Sequence, residues 1–311
     1  MKRFLMLALC LGLIVSLCAC GPAETPGTPA PAPTEAPAVD KVPTAPAETP
    51  TEGAQEDYTL SGQVLADNET CRFTITGTQF NEHTGLEISV LCENFSDRPL
   101  MFSWSNVSVC GFMYDPLWAE EVAAGKKVNS VIGIDTFALE QMKIGSVDEI
   151  SFTLSVSDSE EFMNEPAVLE NHTIYPTGKT AETVKFPVYE PKEEDTVIVD
   201  NEEITFLIES VDDELADFYT LRCYLSNKTG RNLMYSWENV SINGFMVDPF
   251  WAMAVSAGKQ AYTDIIFYRN DLEAQDIEVV QNIEFNLVVA DADDWEAEYL
   301  LDEVYTFIPK Q

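Results

Sequence analysis

The segment SWSNVSVCGFMYDPLW occupies Ser103–Trp118, and the segment SWENVSINGFMVDPFW occupies Ser236–Trp251. The two segments are identical at 11 of 16 positions and lie 133 residues apart. The same offset, without a gap, relates Asn94 to Asn227 in the flanking sequence. Self-similarity at a constant offset is typical of a duplicated structural unit. The sequence therefore predicts two tandem domains that share one fold.

Apolar and polar residues alternate within each copy. The alternation includes Phe73 and Ile75 in the first copy and Phe206 and Ile208 in the second. A period of two residues is typical of strands that bury one face, and turn residues separate about seven such stretches per copy. Short antiparallel strands of this kind pack most naturally as two facing sheets. We therefore expect an all-β chain with two tandem immunoglobulin-like β-sandwich domains.

The repeats also define the expected domain boundaries. Repeat 1 is predicted at residues 58–189 and repeat 2 at residues 196–311, with a short linker at residues 190–195. Residues 164–180 contain prolines and a glycine, which indicates a loop insertion of roughly a dozen residues that repeat 2 lacks. A last strand of repeat 1 is predicted at residues 184–188. So short a linker restricts how the two domains can reorient.

Residues 1–19 have the order of a lipoprotein signal peptide. A basic pair at positions 2–3 precedes the apolar run Phe4–Leu17, which is too short for a membrane-spanning helix. The stretch Leu17-Cys18-Ala19-Cys20-Gly21 resembles the bacterial lipobox. That resemblance implies that Cys20 is acylated and becomes the new N-terminus. We therefore expect a lipid anchor at the outer face of the bacterial cell membrane, with plain secretion as the alternative.

Residues 20–57 combine the lipidated cysteine with a segment rich in Pro, Ala, Thr and Glu. Such a composition supplies no apolar core, so it predicts a disordered linker. Proline-rich chain tends to extend at about 3.1 Å per residue, which gives a reach on the order of 100 Å. That reach suits a tether through a cell envelope.

The charge of the chain excludes one large class of partners. It carries 53 acidic and 17 basic residues, for a net charge of −36. Nucleic-acid binding requires clustered Lys and Arg, so we expect no nucleic-acid partner. Acidic residues cluster at positions 291–298 and 158–161, but alternation scatters their carboxylates and no glycine-turned calcium loop is present. We therefore interpret them as a solvated edge and predict no metal site and no cofactor.

The residues that could support catalysis are few. His83 and His172 have no histidine counterpart in repeat 2, and nothing in the sequence ties either to a serine or cysteine nucleophile. Cys71 and Cys92 fall on the inward side of two neighbouring strands, so a disulfide is conceivable in an exported protein. Apolar residues at the equivalent positions of repeat 2 favour instead a role as small buried side chains. We predict that the protein is not an enzyme.

Two loops, Gly111–Ala119 and Gly244–Ala252, are unusually apolar for connections. They either cover the open end of their own sandwich or expose a patch for a protein, peptide or envelope ligand. Trp104 and Trp237 lie in alternating strands and are expected in the two cores. The candidate partner-contact residues are Phe112, Trp118, Phe245 and Trp251.

The pattern Trp-x-Asn-Val-Ser, Gly-Phe-Met-x-Asp-Pro-x-Trp and then Gly-Lys covers both repeats. It resembles immunoglobulin-like domains of uncharacterised lipoproteins from Gram-positive bacteria, which are similar to secreted mycobacterial antigen domains. The resemblance implies the fold and no agreed activity.

The predicted tether and the two duplicated domains together favour a membrane-anchored surface lipoprotein that acts as a non-enzymatic binding or spacer module. One alternative is the solute-capturing lipoprotein of an import system, which normally requires α/β lobes and a hinge. An exported hydrolase is the weaker alternative, because it rests on the expected location alone.

Overall fold

The computed structural model describes residues 57–161, 164–294 and 296–310. These described residues belong to one compact unit. The predicted signal peptide at residues 1–19, the lipidation site Cys20 and all but the last residue of the predicted linker lie outside the described residues. Neither helix in the described part of the chain is long and apolar enough to cross a membrane.

Repeat 1 is built from short antiparallel strands and one helical turn. Its elements are β1 (Gln63–Asp67), β2 (Cys71–Asn81), β3 (Gly85–Asn94), β4 (Leu100–Val109), β5 (Phe112–Met113), β6 (Ala119–Val122), β7 (Lys127–Ile134), α1 (Thr136–Gln141), β8 (Ile150–Asp158) and β9 (Val168–Ile174).

Repeat 2 follows the same order. Its elements are β10 (Thr196–Asp200), β11 (Ile204–Asp212), β12 (Phe218–Asn227), β13 (Leu233–Ile242), β14 (Phe245–Met246), β15 (Ala252–Val255), β16 (Gln260–Tyr268), α2 (Arg269–Glu273), β17 (Ile283–Asp291) and β18 (Leu301–Phe307).

Each repeat is a sandwich of two sheets. In repeat 1 the order β1-β2-β3-β7 faces the order β5-β4-β8-β9, with β6 paired to β4. In repeat 2 the order β10-β11-β12-β16 faces β14-β13-β17-β18, with β15 paired to β13. The expectation of an all-β sandwich fold is confirmed. One sheet of each repeat is also joined to the other, because β5 pairs in parallel with β16.

An aromatic cluster fills each core at equivalent positions. The Trp104 ring stacks on Phe152 at 3.6 Å, and the Trp237 ring stacks on Phe285 at 3.6 Å. Both tryptophans are buried, as predicted. Buried aromatic pairs in this geometry contribute about 0.5–1.5 kcal/mol beyond the area that they remove from water. The two repeats therefore share their core packing as well as their topology.

A buried asparagine amide fixes the turn after β3. The Asn94 Nδ2 donates to the carbonyl oxygens of Arg98 and Val122 at 2.7 and 2.8 Å. In repeat 2, Asn227 Nδ2 donates to the carbonyl of Arg231 at 2.8 Å. A buried amide must satisfy its hydrogen bonds, so these bonds hold the turn in one conformation. These hydrogen bonds explain why both repeats have asparagine at this position.

The predicted loop insertion at residues 164–180 is wrong. The strand β9 lies inside that range and pairs with β8 from Val168 to Ile174. It corresponds to β18 at the same offset, since 301 − 168 = 133. Only the two end residues of β9 are buried, so its apolar alternation is too weak to indicate a strand.

The strand predicted at residues 184–188 is also absent from the described residues. This segment runs without regular pairing toward repeat 2. Its Phe186 ring lies against Gly111, where an added Cβ would approach the ring to 3.3 Å. The Phe186 ring therefore lies between Gly111 of repeat 1 and Lys259 of repeat 2, whereas Val188 is exposed.

Candidate functional site

The two β-hairpins β4–β5 and β13–β14 carry the Gly-Phe-Met sequence of the repeats. Cys110 and Gly111 have φ values of 47° and 87°, and Asn243 and Gly244 have values of 52° and 85°. Two successive residues with positive φ form the tight turn whose twist matches a β-hairpin. Both repeats therefore project the following Phe and Met side chains from the same backbone geometry.

The hairpin of repeat 1 contacts repeat 2. The backbone N–H of Gln260 donates to the Gly111 carbonyl at 3.0 Å. The Phe112 ring stacks on Tyr262, with ring centroids 5.3 Å apart and planes 8° apart. Backbone pairing and ring stacking thus act at the same place and fix both the position and the rotation of the strand edge.

Two more tyrosines complete this contact. Tyr224 donates its hydroxyl to Gln260 Oε1 at 2.7 Å. Tyr189, which follows the last strand of repeat 1, stacks on Tyr224 at 4.1 Å. We call this contact the joint and define it by Phe112, Tyr189, Tyr224, Gln260 and Tyr262. Tyr189 also donates its hydroxyl to Asp195 at 2.7 Å, so the joint combines stacked, partly buried rings with hydrogen-bonded hydroxyl groups.

The cores of the two repeats extend into the joint. Leu207 and Tyr224 of repeat 2 are buried as part of the core of repeat 1, and Met113 of repeat 1 packs against the core of repeat 2. Interfaces between domains of one chain are usually more polar than this and permit relative motion. The apolar packing is therefore continuous from one repeat to the other.

One ion pair borders the joint. Lys259 Nζ lies 3.4 Å from Glu149 Oε1 and 5.3 Å from the centre of the Phe186 ring. The side chains of Lys259 and Glu149 are 19% and 11% exposed. The pair is therefore screened from water more than a surface ion pair, and it connects repeat 2 to repeat 1.

A polar cleft lies next to the joint. Its volume is about 240 Å³, and its lining residues are Gln141, Glu209, Arg222, Cys223, Tyr262, Thr263 and Asp264. Burial raises the pKa of the Cys223 thiol well above its ordinary value. A thiol in that state is a poor nucleophile. The cleft combines acidic, basic and neutral groups without a nucleophile held by a base.

The equivalent hairpin of repeat 2 is open to solvent. Phe245 is 48% exposed and Met246 is 66% exposed, whereas Phe112 is 1% exposed. Val279 is also exposed, and its carbonyl accepts from Nδ2 of Asn243, two residues before Phe245, at 2.7 Å. We call Phe245, Met246 and Val279 the free end. Its backbone is held in place although its side chains are uncovered.

The four predicted contact residues do not form one shared patch. Phe112 lies in the joint, and Trp251 is only 9% exposed. Trp118 is partly buried against the core of repeat 1. The indole N–H groups of Trp118 and Trp251 donate to hydroxyl groups of β7 and β16, at 3.1 Å in each repeat. These hydrogen bonds turn both rings inward, so Phe245 alone of the four is open for contact.

Two exposed residues beside those tryptophans were not among the predicted contacts. Leu117 is 89% exposed and Phe250 is 83% exposed. Both have positive φ, at 48° and 50°, and their backbone N–H groups donate to Asp115 and Asp248. The Asp-Pro-Leu-Trp and Asp-Pro-Phe-Trp sequences suggested an apolar loop, but only the backbone reversal determines which apolar residue points outward.

Histidines and cysteines occupy separate places. His83 lies in the turn between β2 and β3, and His172 lies on β9 with its ring 5.8 Å from Phe152. All four cysteines of the described residues are free and buried. Burial raises the pKa of Cys71 to about 11 and that of Cys92 to about 12. Within the same residues, no three His, Cys, Asp or Glu side chains form a group that could hold a metal ion.

Comparisons with known proteins give no family. No family model matches the chain, and no curated protein matches it. Among solved structures, the Salmonella enterica SafA pilin in complex with the SafB chaperone is similar at 10% identity and a TM-score of 0.22, over 78% of this chain and 98% of that chain.

Two enzymes of known structure have comparable scores. The exo-chitosanase of Amycolatopsis orientalis is 12% identical with a TM-score of 0.21, over 72% of this chain and 27% of the enzyme. Red sea bream transglutaminase is 11% identical with a TM-score of 0.22, over 79% of this chain and 32% of the enzyme. The chain thus spans a third or less of each enzyme, and likenesses at these scores carry no inference about its function.

Proposed function

We propose that this protein is a surface lipoprotein, anchored through lipid on Cys20 at the outer face of the bacterial cell membrane, and that its two sandwiches form a rigid, non-enzymatic binding and spacer module. The observation that supports the module is the joint. Its stacked rings and its backbone pairing between β5 and β16 make two domains behave as one body.

The arrangement suits presentation of a binding surface. In this proposal the predicted linker at residues 20–57 supplies reach, and the joined pair of domains sets the distance between the start of repeat 1 and the free end. Ordering at the binding surface then costs little, because the surface is already held in one conformation. The partner is a protein, peptide or other envelope ligand that contacts exposed apolar side chains.

The buried thiols and the all-β fold favour this function over the two alternatives. A hydrolase needs a nucleophile within reach of an oriented base, and the described cysteines are buried with raised pKa values. A solute-capturing lipoprotein uses two lobes that close around a hinge, whereas the joint opposes such motion. We therefore rank both below a binding module.

The anchor is tested with the full chain in a bacterial host that is fed labelled palmitate. The parent protein is expected in the membrane fraction with label, and Cys20→Ser is expected without label and released from the membrane. Cys18→Ser is the matched control, since it lies two residues away and should keep the label. Label on the Cys20→Ser protein would overturn the assignment of the anchor.

A further inference from the structure

We propose that the free end is a docking site for a β-sandwich domain of another protein, whose edge strand presents a tyrosine and a glutamine as β16 does. The inference rests on the proposed binding function and names its surface and its partner class. It is derived from the joint, which is the same type of contact made within the chain.

The two hairpins offer the same groups to a neighbour. In repeat 1 the Gly111 carbonyl accepts from Gln260, and the Phe112 ring lies on Tyr262. In repeat 2 the Gly244 backbone has φ of 85°, against 87° at Gly111, so its hairpin has the same turn. A strand edge that fits the first hairpin therefore has the geometry to fit the second.

The free end leaves uncovered what the joint covers. Met113 packs against the core of repeat 2, but its equivalent Met246 is 66% exposed. Phe112 is buried, but its equivalent Phe245 is half exposed. Exposed aromatic and methionine side chains on a rigid strand are typical of contact surfaces. A neighbour like β16 would bury both.

A second copy of this chain lacks a suitable open edge. The tyrosine and glutamine of its β16 are already covered by its own repeat 1. The equivalent edge of repeat 1, on β7 and β3, carries Lys127, Asn129 and Leu91 in place of Gln260, Tyr262 and Tyr224. No ring is present there to stack on Phe245. The chemistry of the free end therefore points to a sandwich domain of a different protein.

The charges at the free end also indicate that its partner differs from the β16 edge of repeat 2. At the joint, Glu149 pairs with Lys259. At the free end the equivalent of Glu149 is Asn282, and the equivalent of Asp148 is Gln281. An amide can donate and accept hydrogen bonds but carries no charge to pair with a cation. The partner strand is thus expected to carry a neutral polar residue where β16 is preceded by lysine.

The test builds the missing edge into this chain. Residues 21–311, which omit the leader and carry no lipid, receive Leu91→Tyr, Lys127→Gln and Asn129→Tyr on the exposed face of repeat 1. If the free end accepts such an edge, copies associate head to tail, because the contact joins two different surfaces and leaves one of each free for a further copy until a ring closes. The weight-average mass by sedimentation equilibrium is expected to rise to at least about twice the monomer mass, while the parent stays monomeric.

Two further variants show which surface makes the contact. Phe245→Ser added to the triple variant is expected to restore the monomer. Phe250→Ser changes a phenylalanine that is still more exposed and lies outside the free end, and it is expected to leave association unchanged. A triple variant that is folded by circular dichroism but stays monomeric would overturn the proposal, as would association that survives Phe245→Ser. Parent protein that associates through Phe245 would instead show that the occupant is a second copy. None of these outcomes depends on lipidation, so failure here is distinct from failure of the anchor.

Discussion

The hairpin end of repeat 1 and the hairpin end of repeat 2 share the sequence Gly-Phe-Met and the same turn, yet one is buried and the other is open. Phe112 is buried because it stacks on Tyr262 of β16, whereas Phe245 has no such neighbour among the described residues. The surface opposite this motif therefore decides whether the motif is exposed. Residues that differ between the repeats, such as Tyr262 and Asn129, therefore matter more here than the residues that are identical.

The largest expected difference between the two ends is in stability. Phe112→Ala removes a fully buried ring from the joint, and such substitutions cost about 3–5 kcal/mol. Phe245→Ala truncates a half-exposed ring, and substitutions at open surface positions usually change stability by less than about 0.5 kcal/mol. Urea unfolding of both variants, followed by tryptophan fluorescence, measures the two free energies.

Trp118→Ala provides a reference for that measurement, since its ring packs in the core of repeat 1 and does not belong to the joint. It is expected to destabilise the protein without loosening the contact between the repeats. Small-angle scattering of Phe112→Ala should show a larger radius of gyration than either the parent or Trp118→Ala. Equal losses in the free energy of unfolding for Phe112→Ala and Phe245→Ala would contradict this prediction, because they would mean that the two ends are equally covered.

An intermediate effect is expected from the lysine at the joint. Lys259→Met leaves the Glu149 carboxylate poorly solvated and without its cation, at a cost of about 1–2 kcal/mol. Its equivalent in repeat 1, Lys126, is exposed. Lys126→Met is expected to change stability by less than about 0.5 kcal/mol. Denaturant unfolding of both variants checks the pair.

A double variant separates the ion pair from general packing. If the two groups interact, Lys259→Met and Glu149→Gln together cost less than the sum of the single substitutions, by about 1 kcal/mol. Additive losses would contradict a contribution from the pair and would leave the lysine with packing on Phe186 alone.

The fold could be predicted from the sequence because the alternation that indicates it is local. Alternation at Phe73, Ile75, Phe206 and Ile208 follows directly from burial of one strand face, and these residues are buried. The same reasoning does not predict β9, because β9 lies at a sheet edge and buries only Val168 and Ile174. Local periodicity therefore predicts central strands well and edge strands poorly.

The candidate site was less accessible to sequence reasoning, since burial of a motif depends on residues far along the chain. Phe112 meets Tyr262, which is 150 residues away in sequence (262 − 112 = 150). Comparing the repeats position by position would have indicated the tyrosine edge, because Tyr224 and Tyr262 replace Leu91 and Asn129. The positions at which the two repeats differ therefore indicate the contact between the repeats better than the identical positions do.

The smallest expected effect concerns acid stability at the same two ends. Burial raises the pKa of Asp148, but hydrogen bonds from Lys179, Ser146 and Thr177 outweigh burial and hold it below the usual value. The lysine Nζ lies 2.8 Å from Oδ2, and both hydroxyl groups lie 2.9 Å from Oδ1. The carboxylate therefore stabilises the fold above the ordinary aspartate pKa of about 3.9, and this contribution is lost as the pH falls through the lower folded value.

Asp148→Asn removes that titration but keeps an amide oxygen that can accept hydrogen bonds from the same two hydroxyl groups. We expect the variant to be less stable than the parent at pH 6 and to lose less free energy of unfolding between pH 5 and pH 3, as measured by urea titrations at each pH. Repeat 2 has Gln281 at this position, so Gln281→Asn should leave the pH dependence unchanged. A parent and an Asp148→Asn variant with the same slope below pH 5 would show that Asp148 adds no acid sensitivity. The two ends would then differ in what covers them and not in how they respond to protons.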